Sequence, residues 1–458
     1  MSERFQCISP IDGSVVAERE FASDEAIDSV LSAAQASEWS ALPLNERKDA
    51  VGAFVDAVVA AKDALADELT QQMGRPRRST PGEIGGFEER ARRMIELADA
   101  CLAPLVPPAK EGFTRRIVRE PLGTVLVLSP WNYPWLTSVN AIVPALLAGN
   151  RVVLKHSEQT PLVAERLGEA AKKAGLPAGA FAYMHADNAA IARVVADERI
   201  DHVCFTGSVE GGRAVHRAAA DRFIAVGLEL GGKDPAYVRA DAKLDHAVEN
   251  LVDGSFFNSG QSCCAVERIY VHESVADGFT ERFIALANAY ILGDPRDEAT
   301  NLGPVVRERN ARAIQAQVDE AVAQGAKAHV AAPYAGSERG AAYLGPQVLT
   351  NLNHSMTIMQ EETFGPVACI MAVKDDDAAI AKMNDSRFGL TASIWTPDIE
   401  RAAVLGARLE TGTVFANRCD ALDPDLPWTG VKDSGRGATL SPIGFEHLTR
   451  PKAFHLRH

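Results

Sequence analysis

The sequence predicts an α/β protein with more than one parallel-sheet unit, and three observations carry that reading. At 458 residues the chain exceeds a single ordinary core and should divide into two or three domains. From residue 121 onward, short β-branched runs alternate with helical stretches, the pattern of βαβ crossovers with ligands at the strand carboxyl ends. Residues 24–72, by contrast, read as Ala-rich amphipathic helices.

In chain order, Asp24 precedes Glu25-Ala26-Ile27 as a plausible N-cap of the first helix. A further helix runs through the eighties to Leu102, and Pro104, Pro107 and Pro108 then interrupt it. Residues 113–119 alternate charged and apolar side chains, as an exposed or intersubunit strand would. Strand-like runs follow at 124–128, 151–154, 181–184, 202–205 and 223–228, with helix-like stretches at 138–148, 161–174 and 188–196. A second series begins near 234 and contains 269–271, a long helix over about 307–324, then 367–373 and 392–395. The tail, 452–457, alternates again like an edge strand.

Composition narrows the class. Hydrophobic content of 47% with 24% charged residues is ordinary for a soluble globular chain. The balance of 47 basic against 61 acidic residues, a net −14, argues against a nucleic-acid partner, because phosphate neutralisation needs clustered Lys and Arg. The two basic clusters, Arg75 with Arg77 and Arg78, and Arg115 with Arg116 and Arg119, read as solvated faces or ion-pair sets. The seven cysteines are odd in number and scattered, with no Cys-x-x-Cys or Cys/His ligand spacing. Neither a disulfide framework nor a metal site is expected, and a reducing compartment fits best. The N-terminus lacks the apolar run of a signal peptide, and no stretch reaches bilayer-crossing length. A cytoplasmic protein without a membrane partner is the expectation.

Two motifs carry most of the chemical information. One is Phe256-Phe257-Asn258-Ser259-Gly260-Gln261-Ser262-Cys263-Cys264; the other, upstream, is Glu229-Leu230-Gly231-Gly232-Lys233. A cysteine after a small, flexible Ser-Gly-Gln turn can present its sulfur to a cleft, and a carboxylate before two glycines can sit on backbone that approaches a ligand closely. Taken alone, Cys263 is a small core hydrophobe; the turn and Glu229 together favour a thiol nucleophile with a base-activated water. Cys264 is then the packing neighbour. Ser129-Pro130-Trp131-Asn132-Tyr133-Pro134 follows an apolar strand, and its prolines fix the backbone. The Asn132 amide is either a pre-set donor for an oxyanion or an Asn that bonds its own backbone. At the next strand end Lys155 and Glu158 both reach for a ribose, and Gly207-Ser208 before a helix suits a pyrophosphate. No Gly-x-Gly-x-x-Gly occurs there, so spacing alone signals a dinucleotide weakly.

Together these motifs resemble the NAD(P)-dependent aldehyde dehydrogenase superfamily from about Ala22 to His458. Asn258 through Cys263 matches Asn-x-Gly-Gln-x-Cys, Glu229 to Lys233 matches Glu-Leu-Gly-Gly-Lys, Pro130 to Pro134 matches Pro-Trp-Asn-Phe/Tyr-Pro, and Glu361 to Pro366 matches Glu-Glu-x-Phe-Gly-Pro. The resemblance implies a Rossmann-like cofactor domain (1–103 and 121–231), a catalytic α/β domain (232–433), and a small β oligomerisation hairpin (104–120 and 446–458). It implies Cys263 as nucleophile, Glu229 as general base, and the Asn132 amide with the Cys263 backbone N–H as oxyanion hole. Trp131, Lys155, Glu158, Gly207, Ser208, Glu362 and Phe364 look like cofactor contacts. Tyr133, Thr137, Asn140, Phe257, Ser262, Asp420, Leu422 and Trp428 look like the substrate pocket. A homodimer or homotetramer acting on a small aldehyde is implied.

The chain departs from the family pattern in four places. His185-Ala186-Asp187-Asn188 replaces a glycine-rich adenine loop, His156 replaces the Pro after the lysine, and Pro427-Trp428-Thr429-Gly430 replaces Pro-Phe-Gly-Gly. Gly437-Ala438-Thr439 replaces Gly-Arg-Glu, removing a glutamate near the base. The Glu158 carboxylate favours NAD over NADP by repelling a 2′-phosphate, with NADP still possible. Succinate-semialdehyde oxidisers commonly carry an arginine at the position of Asn140, which disfavours that substrate; an aromatic or medium-chain polar aldehyde is the expectation. Glu229 argues for hydrolysis against the alternatives, a coenzyme-A-acylating or reductive enzyme of the same fold, or a non-catalytic descendant.

Overall fold

The structure, a computed structural model, describes residues 3–329 and 340–458. The chain starts with an antiparallel hairpin of β1 (Arg4–Ile8) and β2 (Val15–Glu20). Four helices follow: α1 (Asp24–Ala36), α2 (Leu44–Val59), α3 (Lys62–Met73) and α4 (Thr80–Leu102). Ser23, rather than Asp24, caps α1: its extended backbone lets the hydroxyl accept from the Ala26 N–H at 3.2 Å. Asp24 becomes the first helical residue, where its charge meets the positive end of the helix dipole. On α4, Phe87, Arg90, Ala91 and Met94 fall at helical spacing on one buried face.

After β3 (Phe113–Pro121) the first sheet forms. Its parallel strands are β4 (Thr124–Ser129), β5 (Arg151–His156), β6 (Phe181–Tyr183), β7 (His202–Thr206) and β8 (Ala225–Glu229). The connecting helices are α5 (Pro134–Leu147), α6 (Pro161–Lys173), α7 (Asn188–Ala196) and α8 (Val209–Ala218). The strand order is β8-β7-β4-β5-β6. From β4 the chain builds outward through β5 and β6, then returns to build through β7 and β8, so the carboxyl ends of β4 and β7 flank a topological switch point. All of β4 is buried, as a central parallel strand covered on both faces must be.

The second unit contains β9 (Asp234–Val238), α9 (Leu244–Phe256), β10 (Val266–His272), α10 (Ala276–Ala287) and α11 (Glu308–Ala323). It continues with β11 (Lys327–Ala328), β12 (Gln347–Thr350), α12 (Thr357–Gln360), β13 (Val367–Val373), α13 (Asp376–Asn384), β14 (Phe388–Gly389), β15 (Thr391–Trp395), α14 (Ile399–Gly406) and β16 (Thr413–Ala416). Its sheet runs β11-β12-β13-β10-β9-β15-β16, with only the β11–β12 pairing antiparallel.

The C-terminal stretch crosses back. β17 (Val431–Lys432) pairs with β14, and β18 (Gly435–Arg436) adds antiparallel to β8 of the first sheet. Next, α15 (Ser441–Glu446) packs on α4, and β19 (Thr449–Arg457) pairs antiparallel with β3 along its whole length. This return brings residues 435–439, outside the bounds drawn from sequence for either large domain, against the end of β8. All seven cysteines are free, and among the described residues no helix is long and apolar enough to cross a membrane.

Candidate active site

One cavity of about 360 Å³ collects residues from the first sheet, from α9 and loops of the second unit, and from the helical N-terminal block. Tyr133, Thr137, Asn140, Phe257, Ser262, Asp420, Leu422 and Trp428 all line it, with Cys263 and Glu229. Strands seldom contribute side chains directly; loops at their carboxyl ends do, which is where an open α/β sheet leaves space.

The loop carrying Cys263 follows α9 and is locked rather than flexible. Asn258, Ser259 and Gly260 take positive φ in succession, at 54°, 56° and 68°. Two non-glycine residues in this region cost of order 1 kcal/mol each, so the surroundings must hold them. They do: the Asn258 amide donates to Gln261 O at 3.1 Å and Asn132 O at 3.2 Å, the Gln261 side chain accepts from the Val306 N–H at 2.7 Å, and the Ser259 hydroxyl donates to Gly303 O at 2.8 Å. A Cβ on Gly260 would stand 2.1 Å from Gly365 O. The sulfur of Cys263 is therefore presented from a fixed backbone.

Cys263 is half-buried and Cys264 buried, but both line the cavity. Cys264 is thus more than a packing neighbour: its S–H donates to Asp420 Oδ1 at 2.8 Å, and the Ser262 hydroxyl approaches the same oxygen at 3.4 Å. A hydrogen bond to Cys263, then burial, holds the Cys264 thiol well above its ordinary pKa, so it stays protonated. Burial likewise pushes the Asp420 carboxyl up to about 6.

Glu229 ends β8. The Thr439 hydroxyl donates to its Oε1 at 2.5 Å and the Thr206 hydroxyl to its Oε2 at 3.2 Å. Thr439 occupies the place where the family pattern led us to expect a glutamate, and it offers a donor instead of a second negative charge. Burial raises the Glu229 pKa, while the two threonine bonds and the Arg90 charge pull the other way. Glu229 and Thr206 also face a second cavity of about 360 Å³ that includes His202 and His447.

The two glycines after Glu229 also lie tight against protein, a constraint the sequence did not show. A Cβ on Gly231 would lie 2.3 Å from Glu362 Oε2, and one on Gly232 would lie 2.3 Å from Cys263 O. The pair brings three segments (the end of β8, the cysteine loop and the 361–366 loop) into contact that side chains would forbid. Lys233 then ties the cluster: it is 1% exposed, bonds Glu267 and donates to Thr363 Oγ1 at 3.0 Å. Glu267 in turn accepts from the Thr363 and Phe364 N–H groups, each at 2.9 Å.

Asn132 does not line the cavity; its amide donates to Gln261 O at 3.2 Å, two residues before the nucleophile candidate. Arg75, read from sequence within a solvated or ion-paired cluster, is buried at 2% and organises this corner. It pairs with Glu83, donates to Asn258 Oδ1 at 2.9 Å and to Asn132 O, and lies 4.3 Å over the Tyr133 ring. Glu83 also accepts the Trp135 N–H at 2.8 Å, capping α5 from α4. Arg75→Leu strands the Glu83 carboxylate without its cation and is expected to cost about 3–5 kcal/mol of stability. A denaturant titration checks this, with Arg75→Lys as the partial rescue because lysine keeps the charge but not the fork.

The cofactor candidates surround the switch point. Lys155 is the penultimate residue of β5 and Glu158 lies just beyond the strand; the Lys155 ammonium has no hydrogen-bond acceptor among the described residues, and burial lowers its pKa. The Ser208 hydroxyl caps α8 by accepting the Gly211 N–H at 3.1 Å, and Gly207 lies against the Phe205 ring. Trp131 meets Phe364 edge-on at 5.7 Å, and Phe364 has a φ of 53°. Glu362 accepts the Gly232 N–H at 3.0 Å, and burial, with Glu267 beside it, pushes its carboxyl up to about 8. The departures have structural reasons too. Burial drives His156 down to about 3, so it packs as a neutral ring against Thr160, and Asp187 caps α7 through the Ala190 N–H at 2.6 Å.

Sequence reading missed Arg75 and Arg90 as parts of the site. The signal for Arg90 existed: it sits three residues after Phe87 and four before Met94, on the buried stripe of α4.

Comparison with known proteins places the whole chain in one family. Residues 1–454 match the family model described as the aldehyde dehydrogenase family. The chain is 36% identical over 446 residues to a succinate semialdehyde dehydrogenase of Escherichia coli named for NAD(P)+, covering 96% of this chain and 95% of that protein. It is 34% identical over 450 residues to a succinate-semialdehyde dehydrogenase of Deinococcus radiodurans named for NADP+, covering 98% and 94%. Among solved structures, an NAD-dependent aldehyde dehydrogenase from Sinorhizobium meliloti superposes with a TM-score of 0.96 at 32% identity, covering 99% of this chain and 92% of that one.

Proposed function

The chain belongs to the aldehyde dehydrogenase family, whose members oxidise aldehydes to acids with NAD(P)+, and on that premise we propose how its own residues divide the work. Cys263 attacks the aldehyde carbonyl as a thiolate, forming the carbon–sulfur bond of a thiohemiacetal. The developing oxyanion is met by the Cys263 backbone N–H and by the Asn132 amide N–H that is not donated to Gln261 O, on a backbone whose carbonyl Arg75 holds. Bound NAD(P)+ supplies one thing, the acceptor for the hydride that leaves the substrate carbon as the thioester forms. Glu229 then takes a proton from water, which attacks the thioester and releases the carboxylic acid. The single observation that carries this reading is the meeting of Cys263 and Glu229 in one cavity wall, with Cys264 held protonated beside them.

The residues around the switch point suit the cofactor chemically. Lys155 and Glu158 leave a donor and an acceptor unspent at the end of β5, which matches ribose hydroxyls that both accept and donate. The α8 N-terminus beside Gly207 and Ser208 favours a pyrophosphate, and Glu362 with Phe364 and Trp131 offers contacts for the nicotinamide half. NAD is the preferred form, because the Glu158 carboxylate repels a 2′-phosphate. Residues 1–103 with 121–231 form the cofactor domain and 232–433 the catalytic domain. The β3–β19 ribbon, whose β19 edge has no further strand partner among the described residues while β3 is bridged to Leu105 at Ile117, mediates a homo-oligomer, which sedimentation of the whole chain tests.

The deciding experiment is an aldehyde panel scored by kcat/KM with NAD, with NADP, and with coenzyme A added. Acid formation, kcat/KM with NAD more than about tenfold above that with NADP, and no coenzyme A dependence are expected. Equal or better efficiency with NADP overturns the cofactor preference. Acyl-coenzyme A as product overturns the hydrolytic role of Glu229.

A further inference from the structure

The cavity contains a cation whose hydrogen-bonding capacity is mostly unused. Arg90 is 9% exposed and lines the same cavity as Cys263. Its Nη1 donates to Leu136 O at 3.0 Å and to Asn140 Oδ1 at 3.2 Å. Its Nε and Nη2 donate to no described residue, and neither is sealed away as an orphaned buried atom; they open onto the cavity. No carboxylate among the described residues forms an ion pair with it. Arg75, on the same wall, is the opposite case, since Glu83, Asn258 and Asn132 take up its donors.

The Glu229 carboxylate offsets part of the cost of burying the Arg90 charge. It spends its oxygens on the two threonines, however, and shares no hydrogen bond with Arg90. Most of the guanidinium's donors therefore lack the acceptor that a buried one ordinarily has. Its planar fork matches the two oxygens of a carboxylate. The other charged groups of the cavity do not offer that match. Glu229 is engaged by two threonines and is the proposed base, Asp420 is engaged by Cys264 and Ser262, and Asp253 lies exposed at the edge on α9. The Asn140 Oδ1 fixes the Arg90 head over the cavity.

We propose that Arg90 is the specificity-determining residue of this pocket and binds the carboxylate of an aldehyde whose far end carries an acid group. The inference rests on the aldehyde-oxidising reading and adds the substrate class.

The test compares three aldehydes of similar length on the intact enzyme with NAD: succinate semialdehyde, butanal and 4-aminobutanal. The acid-bearing aldehyde is expected to have the highest kcat/KM, by roughly tenfold or more over butanal. Arg90→Met is expected to lower that ratio by about 10–100-fold, mostly through KM, with Arg90→Lys recovering part of it. Should the variants fail to fold, the wild-type enzyme decides alone: glutarate is expected to inhibit butanal oxidation competitively, and 1-aminobutane is not. Oxidation of butanal or 4-aminobutanal as efficient as that of the acid, or an unchanged ratio in Arg90→Met, overturns the inference and leaves aldehyde oxidation standing. No NADH from any of a broad aldehyde panel removes both.

Discussion

Replacing Cys263 by alanine is expected to lower aldehyde oxidation by about a thousandfold or more, because no other group in the cavity can hold the acyl carbon. Its immediate neighbour supplies the control. Cys264 sits in the same cavity, but its thiol is held protonated by its bond to Cys263 and by burial, and it donates to Asp420. A protonated thiol is a poor nucleophile, so Cys264→Ala is expected to retain activity within about tenfold of wild type. The cost it does incur comes from Asp420 losing a donor. Mass spectrometry of enzyme trapped with an aldehyde and cofactor checks the assignment directly. An acyl adduct on Cys264, or a Cys263→Ala enzyme that still turns over at wild-type rate, removes Cys263 from its role.

Glu229→Gln separates the two halves of the reaction. The amide cannot take the proton from water, so acylation proceeds and its product then waits. A burst of NADH near one equivalent per site is expected, followed by turnover about 10²–10⁴-fold slower than wild type. Glutamine can still accept from one of Thr439 and Thr206 with its carbonyl oxygen and donate its NH2 to the hydroxyl oxygen of the other, so the side chain's placement is largely preserved while its basicity is lost. The pH profile gives a second reading. Burial raises the Glu229 pKa, and the base acts only when ionised. Turnover in wild type therefore falls as pH drops through a value above the ordinary carboxylate range, and this acid limb should vanish in the variant. Thr439→Glu places a second carboxyl beside the base, the arrangement the family pattern led us to expect, and should move the limb further upward by like-charge repulsion. Wild-type steady-state turnover in Glu229→Gln excludes Glu229 as the base.

These expectations show where the sequence was informative. The cysteine and glutamate motifs were legible because each combines a reactive side chain with glycines, a combination rare enough to signal chemistry. The alternation of short apolar strands and helices located nearly every element from 124 to 228, because period and β-branching report on burial locally. Asp24 was misread as a cap because Ser23 beside it is equally suited, and only backbone angles choose between them. The glycines after Glu229 were read for a close approach of ligand, and composition could not show that they also make room for Cys263 and Glu362, partners distant in sequence. The cysteine turn was read as flexible, since composition cannot show the bonds from Gln261, Val306 and Gly303 that lock it.

Sequence alone determined the fold class and the family and named the candidate reacting groups, since local periodicity and motif chemistry need no knowledge of what lies nearby. Tertiary structure alone decided which charges are spent and which remain available. Arg75 and Arg90 belong to similar basic stretches, yet folding pairs the first with Glu83 and leaves the second open to the cavity. That difference follows from the low dielectric of the interior, where a buried charge is governed by the few groups within hydrogen-bond reach, and those groups come from distant parts of the chain.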